Sequence, residues 1–178
     1  MTTPQIKNKE LHRITTTTLV YKPDPSSRVE LTTGQAFIYL ITKRAMHKKV
    51  MPGKWTIPGG GLSMDDYINT LSSTEGAKQW YGALERSLRR EIKEEVNLYV
   101  GKPELLVDLT FIRPDGIPVL CLSYFAPYVS GEVSIDQDID GDTTDFAWVS
   151  LEEAKNYDLI EGIWDEMRQV DEILKERK

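Results

Sequence analysis

The sequence predicts an α/β fold, with helices layered on a β-sheet, and three observations carry that prediction. Short β-branched or apolar runs recur between turn residues, as strands do. Two longer stretches instead repeat apolar residues at helical spacing. Strand-like and helix-like segments are mixed along the chain, which leads to a sandwich of layers. With 178 residues, 40% hydrophobic and 28% charged, the chain reads as one folded domain over residues 1–178.

Ile14 to Tyr21 is rich in threonine and β-branched residues and is expected as a strand, followed by a second at Ala36–Thr42. Trp55-Thr56-Ile57 is a short third strand, ended by the turn residues Pro58-Gly59-Gly60-Gly61. Residues 77 to 96 read as a long helix. Leu105–Phe111 and Val119–Phe125 flank Arg113-Pro114-Asp115-Gly116, a turn signal, and so form a hairpin. Asp145–Val149 is the last strand. Ser150 with Glu153 is a capping-box pattern for a short helix, and Asp158 with Glu161 is another for the final one. In that final helix Ile160, Ile163, Trp164, Met167, Val170, Ile173 and Leu174 form a core-facing stripe.

The helix over 77–96 contains the chemistry. Leu84, Leu88, Ile92 and Val96 define its apolar face, spanning from about −40° to about +80° when Leu88 is set at zero. On that scale Glu91 lies near −60°, Glu94 near −120° and Glu95 near −20°. Glu95 therefore falls inside the apolar stripe, where an unpaired charge costs several kcal/mol, so something positive is expected to meet it. Glu91, Glu94 and Glu95 stand at i, i+3 and i+4 and share one region of the helix surface. Three oxygen ligands suit Mg2+, with Mn2+ as a substitute. A solvated acidic face, with Arg90 paired to Glu94, is the alternative.

Upstream, Pro52-Gly53-Lys54-Trp55-Thr56-Ile57-Pro58-Gly59-Gly60-Gly61 places three glycines after a strand, where backbone groups can approach a ligand closely. Together the glycine loop and the acidic helix closely resemble the Nudix box of the Nudix hydrolases. That pattern runs from a glycine, through a glutamate, to Arg-Glu-apolar-x-Glu-Glu-x-Gly-apolar. Arg90-Glu91-Ile92-Lys93-Glu94-Glu95-Val96-Asn97-Leu98 matches its last part at every position but one. The resemblance implies a Nudix-type α/β/α sandwich with a central mixed sheet. It also implies a pyrophosphohydrolase that uses Mg2+ to cleave the diphosphate linkage of a nucleoside diphosphate derivative, such as ADP-ribose, a nucleotide sugar or a nucleoside triphosphate. By position, Glu94 and Glu95 would be the main metal ligands and Glu91 a further ligand or the base. The Gly60 carbonyl would be a backbone ligand, and Arg90 would orient the carboxylates. Arg44, Trp55, Gly59, Gly60 and Gly61 are the expected substrate contacts.

Three departures from the family pattern matter. Asn97 replaces the box glycine, and asparagine is the next-best residue for a left-handed helix end. Gly60 precedes Arg90 by 30 residues where the family has 14, so an insertion at about 62–77 is expected as a lid, a specificity loop or a neutral addition. The early box glutamate, eight residues before the arginine, is Gly82, and Asp65, Asp66, Glu75 and Glu85 are the candidates to replace it.

Other residues bear on partners. Lys43, Arg44, Lys48 and Lys49 either touch phosphates or are solvated surface. The stretch Asp136 to Asp142 either supplies a base or is an acidic surface loop. Its EF-hand-like start fails at the twelfth position, where calcium needs glutamate and the chain has Ala147. Pro114, at a position where a proline marks ADP-ribose-cleaving members of the family, is equally explained by its turn. A net charge of −6 argues against a nucleic-acid surface. No apolar run approaches the roughly 20 residues that cross a bilayer. The N-terminus lacks a signal-like stretch, and the lone Cys121 is expected as a buried, reduced thiol, so a cytoplasmic location is expected. A small phosphorylated molecule is the expected partner, and a homodimer is compatible, since many members of the family dimerise. Two alternatives stay open: a hydrolase of a non-nucleotide diphosphate, and a non-catalytic nucleotide-binding sensor.

Overall fold

The computed structural model describes residues 11–26, 36–76, 79–136, 138 and 141–177. The sheet is built on β1 (Arg13–Pro23), whose threonine-rich sequence favours the extended backbone. β1 runs parallel to β7 (Pro118–Ser130) along most of its length. Its other edge is shared. The C-terminal end of β1 pairs antiparallel with β2 (Phe37–Arg44), and its N-terminal half pairs with β4 (Gly59–Gly61). β3 (Trp55–Thr56) and β8 (Thr143–Val149) flank β2, while β5 (Tyr99–Val100) and β6 (Glu104–Ile112) join β7. One parallel pair among antiparallel ones makes this a mixed sheet.

Two helices cover its two faces. α1 (Ala83–Val96) packs Leu88, Ile92 and Val96 against Val20, Leu40 and Ala126. α2 (Ile163–Glu176) packs Met167, Val170 and Leu174 against Leu19, Tyr39, Ile41 and Phe125. Neighbours such as Leu19 and Val20, or Leu40 and Ile41, go to opposite cores because successive strand side chains alternate. Their continuous apolar runs are what a sheet covered on both sides requires. Cys121 is buried, as expected.

Four local expectations are corrected. The Gly59–Gly61 segment is a strand rather than a turn: its glycines allow close contact with β1, since a Cβ on Gly59 would lie 2.1 Å from the Thr16 carbonyl oxygen. The helix expected from residue 77 starts at Ala83, because Gly82 before it is left-handed at φ 72°. Residues 77 and 78 lie outside the described residues. The Asp158/Glu161 capping box does not form. Instead this segment is stitched to β3, with Trp55 N–H on the Asp158 carbonyl, Ile160 N–H on the Trp55 carbonyl, and the Asp158 carboxylate on Lys54. β5 was not anticipated, being only two residues long. The Ser150/Glu153 box does form, Glu153 N–H donating to Ser150 Oγ at 3.3 Å and Ser150 N–H to Glu153 Oε2 at 2.8 Å. These bonds lie just ahead of a short 3-10 helix, Glu153–Asn156, whose own cap residue is Glu152 and makes no side-chain capping bond.

Candidate active site

β4 pairs with β1 along one edge, and its other edge carries the site. On that outer edge the Gly59 N–H donates to Glu95 Oε2 at 2.9 Å. The Gly61 carbonyl accepts from Arg90 Nη2 at 3.3 Å and from Ser87 Oγ at 3.4 Å. Between them, Gly60 makes room for Glu91, since a Cβ there would lie 2.2 Å from the Glu91 carboxyl carbon. Each glycine of the loop therefore has a distinct partner on α1.

Arg90 ties these groups together. Its Nη1 lies 2.9 Å from both Glu91 Oε1 and Glu94 Oε2. Its other edge grips Asp66 in bidentate fashion, Nε to Oδ1 at 2.6 Å and Nη2 to Oδ2 at 3.2 Å. Asp66 is buried and closes a one-turn 3-10 helix, Met64–Asp66, whose cap Ser63 donates its N–H back to Asp66 Oδ2. Burial opposes ionisation of Asp66, but the bonds from Arg90 and Ser63 outweigh it and hold the carboxyl below its usual range. The same pairing raises the Arg90 guanidinium above its usual value.

The box glutamates experience the opposite field. Burial pushes Glu95 up to about 8, with the Gly59 amide opposing and the charges of Glu91 and Asp138 adding. Burial also raises Glu91, against the pull of Arg90. The group expected to meet Glu95 is thus a backbone amide rather than a cation, and a demand for positive charge remains. Glu94 is exposed beside Arg90, so the pairing weighed as the alternative is present too. Among the described residues no three carboxylates form a ready-made metal cage. Mg2+ does not need one, because it keeps waters and takes phosphate oxygens as ligands. An all-oxygen donor set with unmet negative charge fits such an ion.

The remaining candidates separate. Of the four acids proposed for the missing box glutamate, Asp66 reaches Arg90, while Glu85 pairs with Arg89 and Asp65 and Glu75 are exposed. The family places its glutamate six residues after the glycine, and counting forward from Gly60 lands on Asp66. That signal was available in the sequence. Arg44 is half-buried, donates from Nε to the Val50 carbonyl at 3.0 Å, and lies in the field of Glu95 and Asp142. Trp55 packs edge-on against Tyr157, with ring centroids 4.8 Å apart. Lys48 is held by Asp142, Lys43 sits 5.9 Å from the centre of the Trp55 ring, and no contact singles out Lys49. In the acidic stretch, Asp138 faces Glu95 electrostatically and accepts the Thr143 N–H at 2.7 Å. Gln137, Ile139 and Asp140 lie outside the described residues. Pro114 is accounted for by its turn, closed by Gly116 N–H on the Arg113 carbonyl and by an Arg113–Asp115 ion pair. Asn97 ends α1 in the left-handed conformation at φ 58°, its N–H on the Lys93 carbonyl, as the substitution for glycine required.

The NUDIX domain family matches residues 27–170 of the chain. The protein belongs to the Nudix family. As a Nudix hydrolase it acts on phosphoanhydride bonds, and Nudix enzymes generally use a divalent metal and act on small nucleotide substrates. The nucleoside triphosphatase NudI of Klebsiella pneumoniae (strain 342) is 32% identical over 127 residues, covering 68% of this chain and 79% of that one. NudI of Salmonella newport (strain SL254) is 31% identical over 131 residues with the same coverage. Among solved structures, the NUDIX domain of Shewanella oneidensis NrtR, complexed with ADP ribose, superposes with TM-score 0.64 at 17% identity, covering 93% of this chain and 90% of that one. The MutT NUDIX hydrolase from Burkholderia pseudomallei gives 0.60 at 20% identity, covering 90% and 99%. These two show that the Nudix fold is shared. No helix among the described residues is long and apolar enough to cross a membrane.

Proposed function

We propose that this Nudix hydrolase is a Mg2+-dependent pyrophosphohydrolase of nucleoside triphosphates. The observation that carries the reaction is the seating of Glu91 and Glu95 against Gly60 and Gly59 on the outer edge of β4. The substrate class is supported by likeness to the NudI nucleoside triphosphatases. Glu91, Glu94 and Glu95 would hold the metal, which when bound supplies charge neutralisation at the diphosphate and acidified water. The Gly60 carbonyl expected beside them is turned toward Thr16 of β1 by the strand pairing and is not available to the metal. The chain's own part is positioning. Arg90 fixes the Glu91 and Glu94 carboxylates, and Asp66 fixes Arg90. Glu91, pressed into the space left by Gly60, is the group placed to orient the attacking water, with Asp138 the later-loop carboxylate nearest to it in role. Gly59, Gly60 and Gly61, with Arg44 and Trp55 beside them, line the approach of the phosphates. The residues added relative to the family then follow Asp66, between it and α1, rather than preceding it.

The test is product release, with and without Mg2+, over nucleoside triphosphates, ADP-ribose, nucleotide sugars and base-free diphosphates. Metal-dependent turnover highest with a triphosphate is expected. Preference for ADP-ribose or a base-free diphosphate would overturn the substrate class, and binding without turnover of any of them would overturn the reaction. A second expectation concerns Asp66. Asp66→Asn leaves Arg90 one neutral acceptor in place of a bidentate carboxylate, so turnover should fall by about 10- to 100-fold, the range seen when outer-shell partners of metal ligands are lost. Half-saturation by Mg2+ should rise in parallel. A variant with unchanged Mg2+ dependence would show that Asp66 only anchors its own segment.

A further inference from the structure

We propose that Arg13 is a substrate-binding residue that grips the phosphate chain, and that position 61 is glycine in order to let it lie there. This deepens the triphosphate reading above and rests on it. Arg13 is the first residue of β1, two positions before Thr15, which pairs with Gly61. The residue is exposed, yet its guanidinium lies over Gly61. A Cβ on Gly61 would lie 2.4 Å from Arg13 Nη2, 3.0 Å from Cζ and 3.2 Å from Nε. Any side chain at position 61 would therefore evict the guanidinium.

Strand alternation puts the two charged groups on opposite faces of β4, with Glu91 over Gly60 and Arg13 over Gly61. Only a strand of glycines separates them, and this strand is the sheet edge that carries the candidate catalytic groups. A chain of phosphates lying along that edge meets carboxylates and their metal on one side and Arg13 on the other.

Several other cations near the site are engaged. Arg90 is shared among Asp66, Glu91, Glu94 and the Gly61 carbonyl. Arg44 is bonded to the Val50 carbonyl, Lys48 to Asp142 and Lys54 to Asp158. Among the described residues Arg13 makes no hydrogen bond or ion pair, although the chain carries a net charge of −6. An always-charged planar fork held against a glycine loop with its donors free is suited to phosphate oxygens, which it can bind in pairs.

The experiment is steady-state kinetics of the full chain with a nucleoside triphosphate and Mg2+, with inorganic tripolyphosphate as a competitive inhibitor. Arg13→Ala should raise KM and the tripolyphosphate inhibition constant at least tenfold, with kcat within about threefold and the thermal midpoint unchanged. Arg13→Lys should recover only part of the loss, because it restores the charge without the paired bonds. Gly61→Ala should reproduce the KM effect by displacing the guanidinium, and the double variant should be no worse than either single one. KM and inhibition constants within twofold of wild type in Arg13→Ala, or additive effects in the double variant, would overturn the proposal. If the wild type hydrolyses no triphosphate, the functional reading fails but the inference is still decided by calorimetry with tripolyphosphate and Mg2+. Binding at least tenfold weaker in Arg13→Ala sustains it; equal binding, or none to the wild type, overturns it.

Discussion

Glu95→Gln is expected to lower kcat with a nucleoside triphosphate by at least about 10²-fold while leaving the fold intact, the scale set by removing one preorganised electrostatic contact from an active site. The physical case is that the substitution changes charge and little else. Glutamine has the same shape and keeps an oxygen to accept the Gly59 N–H that Glu95 Oε2 now takes at 2.9 Å. What disappears is a carboxyl that burial, Glu91 and Asp138 hold toward its neutral form without metal, and that a bound cation would draw into its charged form. Without metal, the variant should therefore melt no lower than wild type. Mg2+ stabilises whichever form binds it better, so its addition should raise the wild-type midpoint more than the variant's. Loss of activity with an equal response to Mg2+ would place Glu95 in the chemistry but outside the metal site. Near-normal turnover would remove it from both.

Both helices and most strands were legible because their signals are local. The α1 face follows from Leu84, Leu88, Ile92 and Val96 at four-residue intervals, and three of the four are buried. The left-handed Asn97 was legible for a similar reason, since few residues other than glycine adopt that conformation readily. What escaped was contact made by backbone. Nothing in the pattern of side chains says that Glu95 is met by the amide of Gly59, 36 residues earlier. β4 was read as a turn because glycine has no strand preference of its own, while its pairing is imposed by β1 and by the close approach that only glycine permits. Asp66 stood among four candidates for the box glutamate, and counting back from Arg90 through the added residues could not single it out, whereas counting forward from Gly60 does. The capping pattern at Asp158 and Glu161 misled because a competing tertiary contact, with β3, took the same residues.

The second large effect separates two adjacent glycines. Gly59→Ala is expected to destabilise the fold by about 2–3 kcal/mol in urea unfolding, the upper range for overpacking. Its Cβ would sit 2.1 Å from the Thr16 carbonyl oxygen and 2.6 Å from the Thr17 Cα, both backbone atoms of the central strand, and neither can move without breaking the β1–β4 pairing. Gly60→Ala has a clash as short, 2.2 Å, but with the Glu91 carboxyl group at the end of a flexible side chain. That carboxylate can swing aside, so stability should change by less than about 1 kcal/mol, like a tolerated surface substitution. Turnover should nevertheless fall about 10²-fold, because Glu91 would leave the position from which it faces the substrate. The two variants thus trade places: the first is judged by its unfolding midpoint, the second by kcat at full stability. If Gly60→Ala retained full turnover, the seating of Glu91 against β4 would be packing alone, and the water-orienting role would pass to Asp138, the other carboxylate that faces Glu95.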